Sequence, residues 1–175
     1  MRIARFTIVA AAAALLSACA VRNTPIPIAP RVDIDRFMGD WYVIAHIPTF
    51  LEKNAYSAVE SYRRLPDGRI ATTFRFREGG FEGPEKVYTP TGFVRPDTGN
   101  AVWGMQFVWP VKAEYVISWL KPDYSQVVIG RNKRDYVWVM ARTARIPEDE
   151  LALILAELGR QGYDTAAIRR VPHPS

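Results

Sequence analysis

At 175 residues, 49% of them hydrophobic, the chain is long enough to bury one core and too short for two large domains. Its formal charge of +5 is too mild to mark a nucleic-acid binder, and its single cysteine rules out an intrachain disulfide framework. The fold must therefore be held by its core.

Residues 1–18 have the three parts of a secretory signal: basic Arg2 and Arg5, an apolar run from Phe6 to Leu16, and small Ser17 and Ala18 at the cleavage point. The run is shorter than the about 20 apolar residues that span a bilayer. Leu16-Ser17-Ala18-Cys19 resembles the bacterial lipobox. The resemblance implies that the signal is removed, that the Cys19 thiol is diacylated and that the new amino terminus is acylated. Two or more chains anchor durably, at about 0.8 kcal/mol per buried CH₂. Ala20, where other lipoproteins carry Asp, implies by the same resemblance an outer-membrane anchor with the domain in the periplasm. Removing residues 1–18 takes away two arginines and no acid, which leaves a formal charge of +3. Pro25, Pro27 and Pro30 make residues 19–31 read as an extended, lipidated tether that leads into a single domain at 32–175.

From Trp41 the chain changes to short runs rich in Val, Ile, Tyr, Phe, Trp and Thr, broken by turn signals about every ten residues. Eight strands are predicted, at about 41–48, 56–64, 69–78, 85–95, 101–109, 113–121, 125–131 and 135–143. The clearest alternation puts Ile70, Thr72, Phe74 and Phe76 on one face and Arg69, Arg75 and Arg77 on the other. Leu65–Gly68, Arg95–Asn100 and Lys121–Asp123 are compact Pro-Asp and Gly turns, whereas Pro48–Ala55, Gly79–Pro84, Trp109–Ala113 and Asn132–Asp135 are longer or less regular. In an up-and-down meander alternate loops share an end, so the expectation is an all-β, eight-stranded antiparallel barrel, tightly turned at one end and open at the other.

Pro147 opens a predicted helix over about 147–161, with acidic Glu148, Asp149 and Glu150 in the first turn, where the helix dipole favours them. Leu151, Ile154, Leu155 and Leu158 form one apolar stripe, and Gly159 or Gly162 ends the helix. A membrane-surface helix would carry lysine or arginine across its polar face, so this one is expected to pack against the outside of the barrel.

Phe37-Met38-Gly39-Asp40-Trp41-Tyr42 resembles the Gly-x-Trp opening of the lipocalins, and Val137-Trp138-Val139-Met140-Ala141-Arg142 resembles their closing strand motif. Pro122-Asp123-Tyr124 stands where their middle motif does. The sequence also resembles the bacterial outer-membrane lipocalins, which share the lipobox. The sequence departs from them at Trp109-Pro110-Val111-Lys112 and Arg131-Asn132-Lys133, both in predicted open-end loops. The first and eighth strands pair in a closed antiparallel barrel, so Gly39, Trp41 and Arg142 are expected at the closed end, with the guanidinium over the indole.

An eight-stranded barrel is just wide enough to be filled by side chains or to hold one small ligand. Strand parity offers Val43, Ala45 and Ile47, then Ile70, Thr72, Phe74 and Phe76, then Tyr136, Trp138 and Met140 as the wall. Each alone fits plain core packing, but together with the resemblance they suit an acyl chain better than a sugar or a nucleotide. For a polar headgroup the open rim offers Lys53, Lys112, Arg131, Lys133 and Arg134, beside the acids Glu52, Glu78, Glu82 and Asp135, each otherwise a solvated charge. Pro48-Thr49-Phe50-Leu51 exposes apolar bulk as a lid, a membrane contact or a dimer contact. His46 falls on the outward parity and His173 in the tail, so neither a metal site nor a catalytic dyad is expected, and no cofactor.

The leading expectation is a lipid-anchored periplasmic carrier of fatty acids or lysophospholipids without covalent chemistry. Two alternatives stand beside it: a docking module for an envelope protein built on a filled barrel, and an enzyme acting on a hydrophobic substrate. A homodimer is compatible with each.

Overall fold

The computed structural model describes residues 24–174; the predicted signal, the lipobox and Cys19 lie outside the described residues. A one-turn helix, α1 (Ile34–Phe37), precedes β1 (Gly39–Ile47), β2 (Ala55–Arg64), β3 (Ile70–Glu78), β4 (Glu85–Tyr88), β5 (Thr91–Val94), β6 (Val102–Val108), β7 (Val111–Leu120), β8 (Gln126–Gly130) and β9 (Val137–Ala141). Helix α2 (Glu148–Arg160) and a two-residue strand, β10 (Arg169–Arg170), follow. Successive strands pair antiparallel from β1 to β3 and from β5 to β9, β4 and β5 both pair with β3, and β1 pairs with β9 to close the barrel. The strand predicted at 85–95 is two pieces, because Pro90 has no N–H for the ladder; its carbonyl instead accepts from Thr72 N at 3.1 Å. β4 and β5 thus share one of eight strand positions.

β1 contains the main departure from simple parity. Its ladder with β9 slips between Val43 and Ala45, so Ile44 is an extra residue in the strand. Trp41 and Val43 point into the barrel, whereas Ile44, Ala45 and Ile47 belong to the outer core beneath α2. His46 is turned inward and is 2% exposed, opposite to the surface position expected from the sequence. Beyond the bulge β1 leaves β2 and pairs with β10 through Ala45 and His46. The C-terminal segment fills the resulting gap: Val171 N donates to Ile44 O at 3.0 Å and Ser57 N to Pro172 O at 2.8 Å. His173, expected in a free tail, has Nε2 2.8 Å from Val43 O.

α2 packs outside the barrel as its stripe requires. Leu151 and Leu158 are buried against Val116, Val128, Val137 and Val139, the outward residues of β7, β8 and β9. The end of the proline-rich stretch is no free tether. Ile26 and Ala29 are buried, and Ala29 N donates to Ile117 O at 2.9 Å. Ile26, Ala29 and Val32 lie three residues apart, the repeat of a polyproline-II backbone, so they share the face that meets the barrel wall while Ile28 stays exposed. This strap begins beside the β8–β9 loop, where Arg134 Nη2 donates to Thr24 O at 2.6 Å and Ile26 N to Asn132 Oδ1 at 2.9 Å. It ends under the opposite end, where Val32 N donates to Gly99 O at 2.8 Å, and α1 then plugs the barrel.

Candidate functional site

The two halves of the barrel interior differ. In the lower half Phe37, Trp41, Tyr62, Trp103 and Tyr115 pack ring against ring, with centroids 5.1 to 6.4 Å apart. Trp41 Nε1 donates to Phe37 O at 2.8 Å, and the Arg142 guanidinium covers the indole 3.8 Å from its ring centre. Arg142 also donates to the carbonyls of Arg36, Phe37 and Asp40 at 2.8 to 3.0 Å. Gly39 adopts φ +91°, which a side chain would strain, and so lets the chain turn from the plug into β1 beneath Arg142. This end is sealed.

Above the aromatic layer lies a cavity of about 260 Å³, open at the rim. Thr72 and Phe74 from β3, Met105 from β6, Ala113 and Tyr115 from β7, and Tyr136 and Trp138 from the β9 side form its wall. Phe50, Leu51 and Phe107 stand at the mouth. Of the wall residues expected from parity, Thr72, Phe74, Tyr136 and Trp138 face the cavity, while Val43, Ile70, Phe76 and Met140 sit in the packed interior without lining it. Ala45 and Ile47 lie outside the barrel altogether, because the bulge at Ile44 reverses their direction. Among the rim cations, Arg131 lines the cavity and pairs with Asp135 at 3.2 Å. Lys112 instead lies over the Phe93 ring at 3.6 Å on the outer wall, and Lys53 is exposed in the β1–β2 loop without lining the cavity.

The cavity is also more acidic than parity reasoning on the apolar strands implied. Glu60, from β2, reaches it beside the buried phenols of Tyr62 and Tyr115, whose oxygens are 2.6 Å apart; Tyr62 Oη donates to Glu60. Burial pushes the Glu60 carboxyl up to about 7, against the Tyr62 hydrogen bond and with help from the charge of Glu52. Burial and the same charge of Glu60 push the Tyr115 phenol well above its ordinary range. Glu52 comes from the β1–β2 loop and is itself buried. Burial raises its pKa, but the contact to His46 Nδ1 at 3.5 Å, the Thr49 amide at 3.0 Å and the Trp138 indole at 3.3 Å lower it by more. Glu114 accepts from Asn132 N and Nδ2 at 2.8 and 2.6 Å. Glu60 shares the inward parity of Ala58 and Tyr62, so the sequence carried a signal for it. Glu52 sits in a loop, where no periodicity reports direction.

Among the described residues no three His, Cys, Asp or Glu side chains gather as a metal site, and no helix is long and apolar enough to cross a membrane.

The family model of the lipocalin-like domain matches residues 32–173. The chain is 28% identical to temperature-induced lipocalin-1 of Arabidopsis thaliana, over 81% of this chain and 79% of that one. It is 25% identical to the outer membrane lipoprotein Blc of Escherichia coli K12, over 99% of both chains. Among solved structures, insecticyanin of the tobacco hornworm Manduca sexta superposes with a TM-score of 0.66 at 14% identity, covering 87% of this chain and 86% of that one. Lobster apocrustacyanin A1 superposes at 0.63 and 13% identity, covering 87% and 93%. These two show the shared fold. Members of the matched family are typically binding and transport proteins, which agrees with a barrel sealed at one end and hollow at the other. On the family match and the closed barrel clamped by Arg142, the chain belongs to the lipocalin-like domain family.

Proposed function

We propose that the protein is a lipid-anchored periplasmic carrier that holds one single-chain lipid, with its acyl tail in the cavity and its headgroup at the mouth. The observation that carries this reading is the cavity itself: walled by Phe74, Met105, Tyr136 and Trp138, sealed below, open above. The anchor rests on the lipobox of Leu16–Cys19 and on the likeness over 99% of the chain to proteins named outer membrane lipoproteins.

The charges favour a lysophospholipid over a free fatty acid. Arg131 stands at the mouth with its Nε buried and without a hydrogen-bond partner, which suits a phosphate oxygen. Glu52 and Glu114 line the same opening, with Asp135 paired to Arg131, so a bare carboxylate would meet three acids there. A zwitterionic headgroup satisfies both signs. Deep in the cavity, beside Glu60, an anionic group would find no cation among the described residues, and the burial that already disfavours the Glu60 charge would disfavour its own, which favours the tail-in orientation.

Native mass spectrometry of the protein extracted from membranes tests this. The expected result is a protein carrying acyl groups on Cys19 and one exchangeable lysophospholipid. Extracted protein with no bound lipid, and no displacement of a fluorescent fatty acid, would favour the envelope-docking alternative. Turnover of fatty-acyl compounds would favour the enzymatic one.

A further inference from the structure

Exposed apolar bulk is unevenly shared between the two ends of the barrel. Three of the four open-end loops each present an aromatic ring to solvent: Phe50 between β1 and β2, Phe81 between β3 and β4, and Trp109 at the tip of the β6–β7 hairpin. Trp109 is 82% exposed and Phe50 77%, and the residues flanking Trp109, Val108 and Val111, are 72% and 68% exposed. None of the large exposed apolar residues falls in the closed-end turns at 65–69, 95–101 and 121–125. A patch of this kind confined to one end of a barrel marks a contact surface.

The fourth open-end loop, between β8 and β9, receives the incoming chain. Thr24 and Ile26 are held there by Arg134 and Asn132, at 2.6 and 2.9 Å. Cys19 stands five residues before Thr24, and five residues reach at most about 17 Å. The described strap therefore starts at the open end of the barrel, within that reach of Cys19. The same rim carries exposed Lys53 and Lys133, suited to lipid phosphates, and its Phe50 and Phe107 border the cavity.

We propose that the open rim, through Phe50, Phe81, Val108, Trp109 and Val111, docks on a phospholipid bilayer, so that the cavity opens directly onto the membrane. A ligand's tail then passes between bilayer and cavity without crossing water. This rests on the lipid-anchored carrier reading above, and aromatic side chains at the headgroup level are the usual means of holding such an orientation.

The test uses the acylated full chain reconstituted in vesicles of equal parts phosphatidylethanolamine and phosphatidylglycerol. With Cys19 acylated, Val108→Cys or Val111→Cys supplies the only free thiol for a nitroxide label and leaves Trp109 in place; Asp97→Cys labels the closed end. The expected result is a ratio of oxygen to nickel-chelate accessibility about tenfold higher at the rim than at Asp97, as for a label below the headgroups. Equal ratios at both ends would overturn the proposal. Rim labels shielded from both reagents, with spin–spin coupling between copies, would also overturn it, because a second copy of this chain would then cover the rim. A separate arm keeps the two readings distinguishable. Intact mass reports acylation of Cys19, and vesicle flotation of a Cys19→Ser chain, alone and with Trp109→Ser and Phe50→Ser, reports the rim by itself. Weak flotation that falls about tenfold in the triple variant, but not with Trp119→Ser as control, supports the rim even if Cys19 proves unmodified. No flotation of the Cys19→Ser chain at saturating lipid would overturn it.

Discussion

Arg142 directly follows β9 and lies 3.8 Å above the Trp41 ring, near the start of β1, so a single cation clamps the two strands whose pairing closes the barrel. The guanidinium stacks on the indole and donates to the carbonyls of Arg36 and Phe37 in the plug and of Asp40 in β1. Trp41 is fully buried beneath it. Trp41→Ala is expected to cost about 3–5 kcal/mol and Arg142→Ala about 2 kcal/mol in denaturant unfolding. Neither should change the order of ligand preference. An Arg142→Ala protein of unchanged stability that had lost binding would place the pair in the ligand site instead.

Glu60 makes stability depend on pH. Its folded pKa is raised from the ordinary 4.5 to about 7, chiefly by burial, so the folded state keeps a proton that the unfolded chain has already lost. Stability should therefore fall as pH rises from about 4.5 to 7, with the full penalty, on the order of 3 kcal/mol, present above that window. Glu60→Gln has no proton to lose. Its urea midpoint relative to the parent should rise between pH 5 and pH 8; parallel profiles would show that Glu60 is solvated in the folded state.

Phe74 lies on the cavity wall, close to Phe76 at 5.2 Å and Tyr88 at 6.5 Å between ring centroids. In a displacement series of increasing acyl length, affinity should tighten by about 0.8 kcal/mol for each CH₂ that enters, then level off at the depth of the cavity. Phe74→Ala should move that plateau to longer or bulkier chains. A flat response in both proteins would mean that no tail enters.

The bulge at Ile44 separates two alanines that the sequence alone does not distinguish. Ala45 is buried beneath α2, whereas Ala113 faces the cavity. Ala45→Phe should overpack the helix interface and cost about 1–3 kcal/mol with ligand preference unchanged. Ala113→Phe should instead block uptake in the displacement assay with little change in melting temperature. Loss of binding in the Ala45 variant at full stability would contradict the inverted parity of β1.

Much of the barrel was legible in the linear chain because its determinants are local. The alternation of Ile70, Thr72, Phe74 and Phe76 states which face of β3 is buried, the Pro-Asp turns mark one end, and the stripe from Leu151 to Leu158 states that α2 packs on one side only. Gly39, Trp41 and Arg142 were legible through the likeness of their motifs to those of the lipocalins, with which the pairing of the first and last strands agrees. What lay beyond the sequence depends on contacts between distant segments. Parity counting assumes an unbroken ladder, and one extra residue at Ile44 sends Ala45 and Ile47 outward and His46 inward, to Glu52 of a loop. Lys112 and Arg131 look alike as rim cations, yet Phe93 holds one on the outer wall while the other lines the cavity. The proline-rich strap carries no periodic signal, and only the barrel wall offered by Ile117 and Asn132 decides where it lies. Period and turn chemistry are written in neighbouring residues, whereas bulges, loop directions and strap docking are settled by which packing buries the most apolar surface while leaving few buried polar groups unpaired.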